Sequence, residues 1–318
     1  MKYIKKINIL LLLILITGCL ADDYKDCDRL YLHFSYLADG TTEVFDRYIE
    51  KVDIYVFDSE QRHVLGPITI EADQLRKERG IDIPIQSPGN YEIVCVGNAH
   101  PNTQIELNGE STRAGNAFER MYFGGISSYP TGILEGGIDS LYHSSVKVNI
   151  PENKYYRYVE ETASFNSSHY KVSVEVFDMP PAENPSETPK AMGIISLGNL
   201  PPYLTFLNTP CDVTVSYRPK AEYTPQESKL CTNIFNIARH NRDSQACVDV
   251  LYEDGDALCS FNLEDIVKKH NEQYPNDPDK RIDLNMQEVY IPIQIILERP
   301  IIVKVADWYI KDIKPGFH

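Results

Sequence analysis

Tryptophan is nearly missing from this chain: 318 residues carry one, Trp308, against 21 tyrosines. Long apolar runs are missing too. The most apolar stretch, Ile7 to Ile16, has ten positions and includes Asn8, whereas a membrane-crossing helix needs about 20 apolar residues. Basic side chains are in short supply: 31 Lys and Arg face 46 Asp and Glu, a formal charge of −15. A surface of that sign repels phosphate backbones and excludes nucleic acid as a partner. The chain also lacks Gly-x-Ser-x-Gly, His-Glu-x-x-His and any glycine-rich phosphate loop, which removes common hydrolase, metalloprotease and nucleotide-binding machinery. Acidic neighbours such as Asp22-Asp23, Glu160-Glu161 and Asp254/Asp256 could imitate a glycosidase dyad, but so acidic a chain produces them by chance. No catalytic residue, metal or cofactor is expected, and the chain is not read as an enzyme.

Lys2, Lys5 and Lys6 precede the short apolar run, and small residues close it. That order describes a secretory signal peptide over residues 1–18. The tetrad Ile16-Thr17-Gly18-Cys19 resembles the bacterial lipobox, in which the cysteine is joined to diacylglycerol and becomes the first mature residue. Each buried acyl methylene contributes about 0.8 kcal/mol, and two or more chains anchor stably. Cys19 is thus expected to tether the chain to a membrane rather than thread it through. Leu20 and then Asp22, Asp23 and Asp26 follow, a tract resembling the acidic export signal of surface lipoproteins in gut and oral Gram-negative bacteria. The expected location is the outer membrane, lipid-anchored and surface-exposed.

Of seven cysteines, six remain after the lipidated one. In an exported chain an even remainder reads as disulfides. Cys231, Cys247 and Cys259 near His240 are separated by 16 and 12 positions, which fits no zinc finger or ribbon. Together with Cys211 they allow three connectivities, and the sequence does not choose.

Period-two alternation, the mark of half-buried strands, recurs along the chain. It places Leu30, Leu32, Phe34 and Tyr36 on one face, then Val52, Ile54 and Val56, then Tyr91, Ile93 and Cys95, then Val146, Val148 and Ile150. After "PENKYYRY", a linker candidate, the pattern restarts with Val172, Val174 and Val176 and runs to "EVYIPIQIILE" and "IIVKVADWYI". Pro292 inside the former predicts an edge or a bulge. Helical signals are few: "NLEDIVKKHNEQY", residues 262–274, with Asn262 as N-cap, and short pieces in "EADQLRKERG" and "AGNAFERMYFGG". Two serial sets of strands predict two β-sandwiches, residues 19–152 and 153–318, with a proline-rich break at "PPAENPSETP".

Five segments together resemble the lipoprotein anchor subunits of type V pili. They are the lipobox at Cys19; the cysteine after the acidic tract in "DDYKDCDRLYLHFSY"; "VDIYVFDSEQ", a strand ending in Phe-Asp before a turn; "PGNYEIVCVGN", a Pro-Gly-x-Tyr strand; and "IIVKVADWYIKDIKPGF", a terminal strand with Asp-Trp. The match thins over residues 100–140 and 222–288. The resemblance implies two transthyretin-like sandwiches at the base of a fibre, with the lipid holding the stalk to the membrane and limits on fibre length set there. Stalk subunits of this kind are thought to lose their first strand and to receive a neighbour's, so the implied partner is a fimbrial stalk subunit joined by strand addition.

An anchor must keep its first strand, because Cys19 lies N-terminal to it. Cys27 enters that strand and Cys95 lies in "YEIVCVGN"; paired, they would clamp lipid to fold, a long loop worth roughly 4 kcal/mol in the chain-entropy model. Unpaired, they are buried thiols. Two competing readings remain. A fibre-tip or accessory adhesin would have a cleavable first strand, for which Arg29 is a candidate cut. A surface glycan-binding lipoprotein would show an exposed aromatic row, for which Tyr155, Tyr156 and Tyr158 are candidates. Trp308 reads as a core residue of the terminal strand.

Overall fold

The structure is a computed structural model that describes residues 29–85, 87–107, 121–125, 132–152, 158–178, 193–241, 244–252, 254–298 and 300–305. Cys19, Cys27, Tyr155, Tyr156 and Trp308 lie outside these residues, as do the leader and the break at 179–192.

The first part of the chain gives β1 (Arg29–Ser35), β2 (Lys51–Asp58), β3 (His63–Glu71), β4 (Gly80–Ile83), β5 (Gly89–Gly97), β6 (Thr103–Leu107), β7 (Met121–Gly125), β8 (Ile133–Glu135), β9 (Tyr142–Ile150), β10 (Tyr158–Ser164) and β11 (Asn166–Ser167). The second gives β12 (His169–Phe177), β13 (Ile194–Leu200), β14 (Tyr203–Thr205), β15 (Val215–Arg218), β16 (Ala221–Thr224), β17 (Lys229–Thr232), β18 (Phe235–Ala238), β19 (Cys247–Leu251), β20 (Ala257–Asn262), β21 (Tyr290–Ile296) and β22 (Ile302–Val305). Short helices α1 (Phe45–Tyr48) and α2 (Ala72–Lys77) interrupt the first set, and α3 (Leu263–Gln273) the second. The chain is mainly β, arranged as sandwiches, as the alternation predicts.

The same wiring appears twice. In the first sandwich a three-stranded sheet, β10-β1-β4, faces a five-stranded one, β11-β9-β5-β2-β3. In the second, β21-β12-β18 repeats the former and β20-β19-β13-β15 repeats β9-β5-β2-β3. In each, the opening strand lies parallel to the closing strand over seven positions, Arg29↔Tyr158 to Ser35↔Ser164 and Lys171↔Tyr290 to Phe177↔Ile296.

Apolar residues at period two explain the cores. Leu30, Leu32, Phe34, Val52, Ile54, Val56, Ile93 and Cys95 close the first sandwich. The opposite faces of β2 and β5 carry Tyr55, Phe57, Val94 and Val96, and these are buried too, in a second cluster with Phe123, Phe206 and the core of the second sandwich. One sheet therefore contributes to both cores. Each large side chain so buried stabilises by about 1.5–3 kcal/mol. The Phe206 ring fixes the layer, with Tyr55 at 5.1 Å and Phe57 at 6.0 Å between centroids.

Residues 98–141 do the interlocking. Among their described strands, β6 pairs antiparallel with β7, β7 pairs with β14, and β8 pairs with β15 of the second half. Gly124 has no room for a side chain: a Cβ there would collide with the Tyr203 backbone and the Pro202 carbonyl.

Several expectations change. The sheets do not divide at residue 152, because β10 and β11 beyond it belong with the first sandwich. Met121–Gly125 of "AGNAFERMYFGG" is a strand, its glycines fitting close backbone approach better than a helix. Pro292 lies in a strand flanked by β12 and β22, its missing N–H falling just before the β22 pairing begins at Ile293. The helix at 262–274 stands, with Asn262 accepting a hydrogen bond from the Asp265 N–H at 3.0 Å. Disulfides among Cys211, Cys231, Cys247 and Cys259 are not formed; all four are free thiols. The sheet register explains the last pair, since Val250, not Cys247, opposes Cys259, and the two thiols point to opposite faces.

Candidate functional site

The first strand is the element on which the anchor expectation turns. β1 is the middle strand of its sheet, paired with β10 on one side and β4 on the other. Its inward residues Leu30 and Leu32 are fully buried, and the Phe34 ring meets Phe45 and Phe165 at 5.8 and 6.0 Å. Pulling this strand out would break both ladders and empty the core beneath them.

Immediately after β1 the chain is pinned to the other end of the sequence. The Tyr36 hydroxyl donates to Glu288 Oε1 at 2.7 Å, and the Tyr142 hydroxyl donates to the same oxygen at 2.9 Å. Lys171 Nζ reaches Glu288 Oε2 at 2.6 Å. The Glu288 side chain is 16% exposed and that of Lys171 18%. Burial alone would raise the Glu288 carboxyl, but the Lys171 ammonium and the tyrosine hydrogen bonds hold it below the usual carboxylate range. His169 is fully buried and desolvated, its pKa lowered to about 4, so it is neutral at pH 7 and leaves the pairing to Lys171. Its Nδ1 lies 3.0 Å from the Leu141 carbonyl.

Around this hub, Asp39 accepts from the backbone N–H groups of Gln287 and Glu288, and Gln287 Oε1 accepts from Ser167 N–H at 2.7 Å. Arg239 donates to the carbonyls of Leu284, Met286 and Gln287 and stacks on Tyr170 at 4.7 Å. The segment before β21 is thus tied to β1, β9, β11 and β12 at once. Sequence reasoning did not single out Glu288, because a lone glutamate before a strand carries no motif, and Lys171 shares its outward face of β12 with Ser173 and Glu175, an ordinary polar face.

Cys95 is a free thiol, fully buried between the sheets, its pKa driven upward by desolvation. The Phe-Asp turn is as predicted: β2 ends at Asp58, whose carboxylate accepts from the Glu60 and Arg62 N–H groups and from Arg62 Nε. The backbone of Arg29 opens β1 and that of Tyr158 opens β10. Among the described residues, Tyr252 is the one aromatic in the set of exposed large apolar side chains, so no aromatic row is presented there.

Comparison with known proteins agrees with this architecture. The model of the fimbrillin-A associated anchor proteins Mfa1 and Mfa2 matches residues 24–314. The fold is similar to that of the fimbrial anchor protein Mfa2 from Porphyromonas gingivalis, at 15% identity and a TM-score of 0.66, covering 89% of this chain and 98% of that one. A candidate polysaccharide-binding protein from Bacteroides thetaiotaomicron is similar at 15% identity and 0.66, covering 90% and 99%. A candidate adhesin from the same organism is similar at 14% identity and 0.62, covering 89% and 97%. No curated protein matches the chain. With the family model covering the chain almost end to end, this protein belongs to the fimbrillin-A associated anchor proteins Mfa1 and Mfa2.

Proposed function

We propose that this protein holds a fimbrium at the cell surface, tethered in the outer membrane through acyl chains on Cys19. The observation that carries the reading is the place of β1, paired on both sides and buried, with a direct hydrogen bond from Tyr36 to the segment before β21. Arg29 is ten residues past Cys19, and ten extended residues reach at most about 33–36 Å. A lipid there would keep the sandwich within that distance of the membrane, and a load on the fold would reach it through β1. A subunit that keeps its own first strand in place has no emptied β1 groove for a further subunit to fill, so it would also end fibre growth at that position and limit fibre length. The family is structural, and none of the interactions described calls for a reaction.

Replacing Cys19 by Ala tests this. The expected result is loss of incorporated palmitate analogue from the chain and release of fimbriae into the medium. Retained label, or fimbriae that stay cell-bound at normal length, would overturn it.

A further inference from the structure

The two sandwiches share their wiring but differ at one edge. In the second, the closing strand β21 is covered on its outer side by β22, antiparallel, from Ile293↔Val305 to Ile296↔Ile302. In the first, the closing strand β10 has β1 on one side and no strand on the other among the described residues. Counting along the common seven-residue register, the uncovered positions are Glu161, Thr162, Ala163 and Ser164.

Their chemistry is specific. Glu161 and Ala163 stand opposite Leu32 and Phe34, so they lie on the core face, since residues paired across neighbouring strands point the same way. Glu161 is half-buried there and has no hydrogen-bond or ion-pair partner among the described residues. Its counterpart in the covered sandwich is Ile293, and that of Ala163 is Ile295. An inward charge on an edge strand protects it from indiscriminate pairing, while a strand that brings an opposite charge to it would be accepted. The small Ala163 leaves the apolar contribution to the incoming strand.

We infer that the outer edge of β10 is a strand-addition site, filled by an extended segment running antiparallel to it with an apolar residue opposite Ala163 and a Lys or Arg opposite Glu161. From its N-terminus that segment reads apolar, any residue, basic, where β22 itself reads Val303, Lys304, Val305. Backbone hydrogen bonds supply affinity and the basic position selects the partner. That the donor is a fibre subunit rests on the anchoring reading above; the existence of the site does not.

The experiment has two arms. The purified mature chain is titrated with the fluorescent peptide Thr-Val-Thr-Lys-Thr-Val-Thr and with its Lys→Glu counterpart. Binding of the first, weakened at least tenfold in the second and in the Glu161→Lys variant whose thermal midpoint is unchanged, is expected; equal binding of both peptides, or none, overturns the site. In fimbriated cells a photo-crosslinker at Thr162, which is exposed, should capture a fibre subunit. Capture only of the protein's own chain or of a second copy overturns the assignment of the donor. If Cys19→Ala releases fimbriae while Thr162 captures nothing, anchoring stands and the β10 edge is not the joint.

Discussion

Replacing Glu288 by Gln is the sharpest probe of the joint between the sandwiches. The side chain keeps its shape and one acceptor oxygen, which can still take a hydrogen bond from Tyr36 or Tyr142 at the present 2.7 and 2.9 Å. What disappears is the negative charge 2.6 Å from Lys171 Nζ in a site where both side chains are under one-fifth exposed. Removing one member of a buried pair typically costs 3–5 kcal/mol, because the other charge is left without compensation. The retained acceptor places Glu288→Gln near the lower end, about 3 kcal/mol. Lys171→Met should cost a similar amount, since it strands the carboxylate. The double variant should recover at least about 1.5 kcal/mol of the summed loss, within the range seen for residues in direct contact. Urea unfolding at pH 7 measures all four proteins, with tyrosine fluorescence and far-ultraviolet circular dichroism read together. A loss under 0.5 kcal/mol for Glu288→Gln, or strict additivity in the double variant, would refute the idea that Lys171 sustains the carboxylate to which Tyr36 and Tyr142 donate across the joint.

Acid should weaken the fold early. His143, His169 and His240 are held near pKa 4 by desolvation, so below their ordinary 6.5 the unfolded chain takes up protons that the folded one refuses. Stability is therefore full above about pH 7 and falls between 6.5 and 4, by up to roughly 4 kcal/mol per pH unit for three groups; a flat urea midpoint from pH 8 to 5 would contradict this. Thiol accessibility should be graded: in the native protein Cys95 resists iodoacetamide, while Cys247 and Cys259, half-buried with pKa pushed up to about 11, react slowly. In urea without reductant all five described thiols should alkylate, and failure of Cys95 alone would mean that it is bonded to Cys27. Gly124→Ala should cost about 3 kcal/mol or prevent folding, because the β7–β14 contact must open; an unchanged thermal midpoint would show that β7 and β14 are not tightly packed there.

Much of the fold is legible in the alternation. Leu30, Leu32 and Phe34, or Val172, Val174 and Val176, announce a buried face because the strand repeat is two residues and every second side chain turns inward. The same rule concealed the joint. Tyr55 and Phe57 alternate with the counted positions Ile54 and Val56, and their burial depends on another sandwich arriving on that face, which no local pattern encodes. Residues 98–141 were opaque for a related reason: β6, β7 and β8 are short, and two of them find partners about 80 residues away. Even the free cysteines follow this logic, since their number suggested bridges while the register that separates Cys247 from Cys259 exists only in the folded sheet.

The excursion through residues 98–141 bears on how the protein comes into being. β8 cannot pair until β15 is available, β1 waits for β10, and Tyr36 waits for Glu288 near the end of the chain. Contacts of such sequence separation form late and slowly. Neither sandwich can therefore reach its final packing before most of the chain has been made, and unpaired strand edges remain open to aggregation until β21 has arrived. A polypeptide wired in this way needs its strand edges shielded until its last strands are made, and its yield should follow the supply of holding factors more closely than the rate of its synthesis.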